Sequence, residues 1–108
     1  MKFNKLKTIN PYFTEVWNDI KTFEVRKNDR NFEVDDLVLL MYYNPSNPKN
    51  IQQTPLDRGD MWHDHYILGK ITYVLTDLTY CKPLYCIFSL EIINRGIEKN
   101  LLEINGAI

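Results

Sequence analysis

The chain has 108 residues, of which 44% are hydrophobic and 25% are charged, and its formal net charge is −1. These values are those of an ordinary globular domain, so they exclude a disordered chain, a collagen-like repeat and a coiled coil, and the length predicts one domain over residues 1–108. The longest uninterrupted apolar run, from Leu37 to Tyr43, is seven residues, whereas a spanning helix needs roughly 20; we therefore expect no membrane partner.

The charge is distributed unevenly along the chain. Residues 1–30 carry seven Lys or Arg against four acids, whereas residues 31–108 carry six against ten. A basic first third can form one local face that attracts anions, and an ordinary solvated surface is the alternative. Because the first residues lack the apolar stretch of a signal peptide, we expect a cytoplasmic protein with Cys81 and Cys86 reduced.

The first predicted element is a short helix. Asn10 is a good N-cap, and Pro11 is well tolerated at the first helical position. Apolar residues then follow at i, i+3, i+4 and i+7, which predicts one helix face on the core. These residues are Phe13, Val16, Trp17 and Ile20. Asn18 and Asp19 tolerate left-handed backbone and predict the end of the helix.

The hydrophobic period then changes from 3.6 to 2. Phe23 and Val25 are predicted to point to one side of a strand, and Thr22, Glu24 and Arg26 to the other. A polar turn over residues 27–31 follows. The apolar run 37–43 predicts a strand that is buried on both faces.

The second half of the chain predicts two more strands after a long loop. Residues 44–61 contain three Pro and no periodicity, which is typical of a lid or binding loop. Strand character returns over residues 65–75, where Gly69 indicates a bulge or bend, and again over residues 84–93. Residues 94–108 form a tail. The expected fold class is α+β: a strongly bent sheet or barrel of about four to six strands, with an N-terminal helix sealing one end.

One segment resembles a known family. The ten residues KTFEVRKNDR, from Lys21 to Arg30, are similar to a signature of the ASCH family of the PUA-like superfamily, in a branch of small bacterial and phage proteins of unknown function. The resemblance covers residues 4–43 well and residues 85–93 more loosely. It implies a PUA-like β pseudobarrel with a groove between helix and sheet that holds RNA or a nucleotide.

The chain departs from the family pattern at three positions. Asp19 and Asp35 stand where the family usually has Gly, and Asn4 stands where a His is common. Asp19 bears on the shape of the helix end, Asp35 adds a negative charge, and Asn4 removes a titrating group. These differences bear on the ligand specificity that the resemblance implies, and not on the implied fold.

The residues expected to bind the ligand come mainly from the signature. They are Lys21, Thr22, Glu24, Arg26, Lys27, Asn28, Arg30 and Trp62. Cationic side chains suit phosphates, but a structural pair of Arg26 with Glu24 that pins the strand to the helix is an equal alternative. Asn28 is either a turn former or a base contact, and Trp62 either stacks on a base or belongs to the core.

The family that the segment resembles also includes an enzyme. One family activity, amide hydrolysis of an acylated cytidine, uses a Lys and a Thr three residues later, and Glu24 occupies that second position here. A carboxylate there would pair with Lys21 and keep it protonated, so we expect a non-catalytic RNA-binding or nucleotide-binding module. The alternatives are a small hydrolase acting on a modified nucleoside or RNA, and a protein-interaction factor. For a ribonuclease, His63 and His65 would supply the acid and base.

We expect no metal and no cofactor. His63 and His65 share one face of a strand and supply two ligands, whereas a closed zinc site needs four. Cys81 and Cys86 lack the C-x-x-C spacing that would supply the other two.

Overall fold

The protein is built mainly from strands. The structure is a computed structural model that describes residues 1–46, 62 and 64–97. In chain order its elements are β1 (Phe3–Thr8), α1 (Tyr12–Trp17), β2 (Phe23–Lys27), β3 (Leu37–Tyr42), β4 (His65–Leu75) and β5 (Tyr85–Ile97). Among these residues, no helix is long and apolar enough to cross a membrane.

The five strands form one mixed sheet in the order β1-β3-β4-β5-β2. β1 pairs in parallel with β3, and the other three pairings are antiparallel. β1 and β2 are therefore the two edges, yet Arg26 of β2 donates a hydrogen bond to the carbonyl of Lys7 in β1. The sheet must curl strongly for its edges to approach so closely. This architecture is consistent with the predicted bent β barrel, and the strand number lies in the predicted range.

The helix is not the N-terminal element that we predicted. β1 precedes it, with Leu6 and Thr8 buried and Lys5 and Lys7 exposed. This alternation is typical of a strand, but Leu6 is the single strongly apolar residue on the inner face, so the pattern is weak. That the helix seals one end of a barrel stays a prediction.

The helix α1 packs its apolar face against the sheet. Phe13 and Val16 are completely buried, and the Phe13 ring lies 5.7 Å from the ring of Tyr42 in β3. The side chain of Asn10 accepts a hydrogen bond from the amide of Thr14 at 3.1 Å. Asn10 therefore supports the start of the helix, although Pro11 takes the N-cap position one residue later than predicted.

The helix ends where the sequence predicted. The amide of Asp19 donates to the carbonyl of Val16, and the amide of Ile20 donates to the carbonyl of Glu15, which together form a Schellman motif. Asp19 has φ 60°, the left-handed conformation for which Gly is usual. The prediction that Ile20 continues the core face is wrong, because this residue lies beyond the helix and is 75% exposed.

The central strands match their predicted positions. Val38 and Leu40 are completely buried and Leu39 is 6% exposed, which confirms a strand covered on both faces. β4 occupies the predicted range, and its register with β5 shifts between Leu68 and Gly69, which confirms the bulge. β5 continues to Ile97, so residues 94–97 of the predicted tail belong to the strand. Most of the predicted loop, residues 47–61, and the tail from residue 98 lie outside the described residues.

A buried carboxylate fixes the start of β3 against the N-terminal strand. Asp36 is 1% exposed, and its oxygens accept hydrogen bonds from the amides of Lys2 at 2.8 Å and Glu33 at 2.9 Å. Burial by itself raises the pKa of Asp36, but these hydrogen bonds and the charge of Lys2 outweigh burial and lower the pKa below its ordinary 3.8. Asp35, just before it, has φ 74°.

Both cysteines, Cys81 and Cys86, are buried and free. Burial raises the pKa of Cys86, and the neighbouring Cys81 and Asp29 raise it further. The reactive thiolate form of Cys86 is therefore disfavoured.

Candidate functional site

The strand β2 buries Glu24, half-buries Arg26 and exposes its apolar residues. The predicted alternation is confirmed, but Phe23 and Val25 are 44% and 53% exposed whereas Glu24 is 3% exposed. On β5, the residue opposite Glu24 is Phe88, which is completely buried. A carboxylate in such surroundings is unfavourable unless it is paired, so its presence marks a candidate site.

Glu24 is paired through one of its two oxygens. Its Oε2 accepts a hydrogen bond from Lys21 Nζ at 3.0 Å and lies 3.6 Å from Arg26 Nε. The side chains of Lys21 and Arg26 are 12% and 22% exposed. Oε1 is also buried and has no hydrogen-bond partner among the described residues. One strong acceptor of the carboxylate is therefore unsatisfied within the described residues.

Arg26 joins the two edges of the sheet. Its Nη1 donates to the carbonyl of Lys7 at 2.9 Å, and its Nη2 donates to Thr8 Oγ1 at 2.8 Å. The predicted pair of Arg26 with Glu24 is present, but the guanidinium pins β2 to β1 instead of to the helix. We call this Arg26 bridge between β1 and β2 the seam.

A cleft of about 770 Å³ lies on one side of the seam. We call it the Glu24 cleft; it is lined by Lys7, Thr8, Ile9, Tyr12, Glu15, Ile20, Lys21, Phe23, Glu24, Val25 and Arg26. The Lys21 ammonium lies 5.4 Å from the centre of the Tyr12 ring and 5.3 Å from that of Phe23. The cleft thus combines aromatic surface with three cations, Lys7, Lys21 and Arg26, and two carboxylates, Glu15 and Glu24.

A second cleft of about 650 Å³ is strongly basic. This basic cleft is lined by Lys5, Leu6, Lys7, Arg26, Lys27, Asp29, Arg30, Phe32, Met41, Tyr42 and Tyr43. Five of these residues are cationic and Asp29 is the one acid. Lys7 and Arg26 line both clefts, so the clefts adjoin at the seam.

Residues 3–90 match the family described as a domain of unknown function, DUF3850. The chain belongs to the DUF3850 family. The matched range contains every residue that lines either cleft. A comparison with curated proteins gives no match.

The clefts of this DUF3850 chain contain five of the eight predicted site residues. Lys21, Glu24 and Arg26 meet in the Glu24 cleft, and Lys27 and Arg30 line the basic cleft with Arg26.

The other three predicted residues line neither of these clefts. Thr22 is exposed and lies just before β2. Asn28 Oδ1 accepts a hydrogen bond from the amide of Phe32 at 3.0 Å, which is the turn-forming role. The Trp62 ring lies 6.0 Å from Phe13, 5.3 Å from Trp17 and 4.9 Å from His65, between ring centres.

The predicted histidine pair is described only in part. His65 begins β4 and its ring lies 5.3 Å from Trp17, whereas His63 lies outside the described residues. Within the described ranges, no group of three or more His, Cys, Asp or Glu is placed to hold a metal ion.

Several residues that line the clefts were not predicted from the sequence. Lys5, Lys7, Thr8, Tyr12 and Tyr43 are among them. The alternation of Lys5 and Lys7 with Leu6 and Thr8 was the available signal, since it places both lysines on one side of a strand. Sequence alone does not reveal that this strand lies opposite β2.

Proposed function

We propose that this DUF3850 protein is a non-catalytic module that binds RNA or a nucleotide and holds a nucleoside in the Glu24 cleft of a PUA-like pseudobarrel. The observation that carries the proposal is the buried Glu24 carboxylate, with Oε2 paired to Lys21 and Arg26 and Oε1 without a hydrogen-bond partner among the described residues.

The chemistry of the cleft suits a nucleobase. Unpaired bases present N–H donors beside carbonyl or ring-nitrogen acceptors on their edges, and proteins read them by hydrogen bonds and by stacking. Glu24 Oε1 accepts from the base, and Lys21, with three N–H donors, donates to an adjacent acceptor. The rings of Tyr12 and Phe23 line the same cleft and provide surface for contact with the base.

The contacts of Thr8 favour binding over the alternative hydrolase. Thr8 is 2% exposed and supplies a hydroxyl to the cleft. Its Oγ1 accepts a hydrogen bond from Arg26 Nη2, which makes the oxygen less nucleophilic. An activated hydroxyl needs a base within hydrogen-bond reach, and no described carboxylate, amine or imidazole makes such a contact with Thr8.

The test is a titration of the protein with the four ribonucleosides and their 5′-monophosphates, followed by calorimetry or NMR. We expect Glu24→Gln to weaken the best ligand about 10-fold or more, because a hydrogen bond to a charged group contributes about 1.5–3 kcal/mol. Glu91→Gln is the matched control, since Glu91 is exposed on β5 and lines neither cleft.

The same samples are incubated with acylated cytidine and single-stranded RNA. No product is expected from the parent protein. Binding that is unaffected by Glu24→Gln contradicts the proposal, and turnover by the parent that the variant loses favours the hydrolase.

A further inference from the structure

We infer that the basic cleft binds consecutive phosphates of a single-stranded polynucleotide, one nucleoside of which occupies the Glu24 cleft. This inference rests on the proposed function and deepens it, because it identifies the ligand as an extended strand instead of a mononucleotide.

The first support is the charge of the cleft. Lys5, Lys7 and Lys27 are exposed and form no ion pair with any described residue. Asp29 is the one acid in the lining. A groove with several uncompensated cations attracts polyanions, and the release of counterions from the phosphates drives their binding.

The second support is the fixed position of the arginines. Arg30 Nη1 donates to the carbonyl of Lys5 at 2.6 Å, and Arg26 is held by Lys7 and Thr8 in the seam. One donor of Arg30 is used, while its Nε and Nη2 have no hydrogen-bond partner among the described residues. A guanidinium already held in place loses little freedom when its remaining donors bind a phosphate.

The third support is the arrangement of the cations along the chain. They come from β1, β2 and the turn after β2, and the basic cleft meets the Glu24 cleft at Lys7 and Arg26. Cations distributed over three segments fit the consecutive phosphates of an extended strand. The clustered phosphates of a nucleoside triphosphate are instead typically held by a glycine-rich loop. The Lys7 ammonium also lies 4.9 Å from the centre of the Tyr43 ring, so an aromatic side chain supports this cation where the two clefts adjoin.

The first experiment is a length series. Binding of ribonucleoside monophosphate, nucleoside triphosphate and single-stranded RNA of two, four and eight nucleotides is measured by competition against a labelled oligonucleotide. We expect affinity to rise with strand length and then level off after about three to five phosphates, with a salt slope of about −2 to −3.5 in log K against log salt. An octamer that binds no more tightly than the monophosphate overturns the inference but leaves the proposed function intact.

The second experiment removes charge from the basic cleft. In Lys5→Gln/Lys27→Gln, the loss of two phosphate contacts should reduce the steepness of the salt slope by about 1.4 and weaken octamer binding about 10- to 25-fold at 0.1 M salt. Lys82→Gln is the matched control, since Lys82 is an exposed lysine that lines neither cleft. Thermal unfolding verifies that each variant is folded.

The outcomes separate the two proposals. A double variant with the parent's affinity and salt slope overturns the inference, as does tighter binding of the nucleoside triphosphate than of the octamer. If the parent binds neither nucleosides nor oligonucleotides, the proposed function fails and the inference fails with it.

Discussion

Replacing Glu24 with Ala tests whether its carboxylate holds the site together. The substitution leaves the ammonium of Lys21 and the guanidinium of Arg26 facing each other without the oxygen that both now contact, at 3.0 and 3.6 Å. Removing one partner of a fully buried ion pair costs about 3–5 kcal/mol. Here the two cations keep 12% and 22% exposure, so solvent screens part of the repulsion and we expect a loss of about 1–3 kcal/mol.

The assay is thermal and denaturant unfolding, followed by circular dichroism. For a domain of this size, about 1 kcal/mol corresponds to roughly 4 °C in Tm, so Glu24→Ala should melt about 4–12 °C below the parent. Glu91→Ala, which changes an exposed carboxylate on β5, should stay within about 0.5 kcal/mol of it.

A double-mutant cycle identifies the cause. Lys21→Ala in the Glu24→Ala background removes one of the two facing cations, so the combined loss should be smaller than the sum of the single losses by about 1 kcal/mol or more. The reasoning is refuted if Glu24→Ala has the same Tm as the parent. It is also refuted if the stability losses of the two single variants sum to the loss of the double variant, because the carboxylate then does not bridge the cations.

Three other changes test how the fold supports the clefts. Asp36→Asn should destabilise the protein by about 1–3 kcal/mol at neutral pH. The folded protein holds the pKa of Asp36 below 3.8, so the stability that this carboxylate contributes is present above pH 3.8 and is lost as the pH falls through the folded pKa. The difference in unfolding free energy between parent and variant should therefore be smaller at pH 3 than at pH 7. Asp35→Gly should match or exceed the parent in stability and Asp35→Ala should lose about 1 kcal/mol, because at φ 74° Gly has no steric penalty and Asp tolerates the left-handed conformation better than Ala; equal melting of the two variants would contradict this. Arg26→Ala should lose about 2–3 kcal/mol in urea unfolding, and Arg26→Lys should recover little of it, because one ammonium does not reproduce the fork that contacts Lys7 and Thr8; full recovery by lysine would show that charge alone suffices.

Local patterns predicted most of the elements. The period-2 alternation located β2, the apolar run located β3, and the left-handed tendency of Asn18 and Asp19 located the end of the helix. These features depend on neighbouring residues, so sequence spacing is enough to reveal them. Ile20 was misplaced because periodicity does not itself report where a helix ends.

The sequence predicted the residues that the signature segment contributes to the site, but not those that β1 contributes. The signature segment supplied Lys21, Glu24 and Arg26, and the alternation correctly placed Glu24 and Arg26 on one face. Which face is buried could not be predicted, since the apolar residues of a strand normally face the core and here Phe23 faces solvent. The contribution of β1 depends on the curl of the whole sheet, which brings together residues distant in sequence.

Arg26 and Arg30 have a further consequence for the edge strand β1. The carbonyls of Lys5 and Lys7 accept from Arg30 and Arg26, respectively. An edge strand whose outward carbonyls are unoccupied is a template for a strand of another molecule, and such pairing leads to aggregation. With two successive outward acceptors occupied and two positive charges placed beside them, β1 resists the addition of a foreign strand. Protein lacking both guanidinium groups should therefore self-associate at concentrations where the parent remains monodisperse.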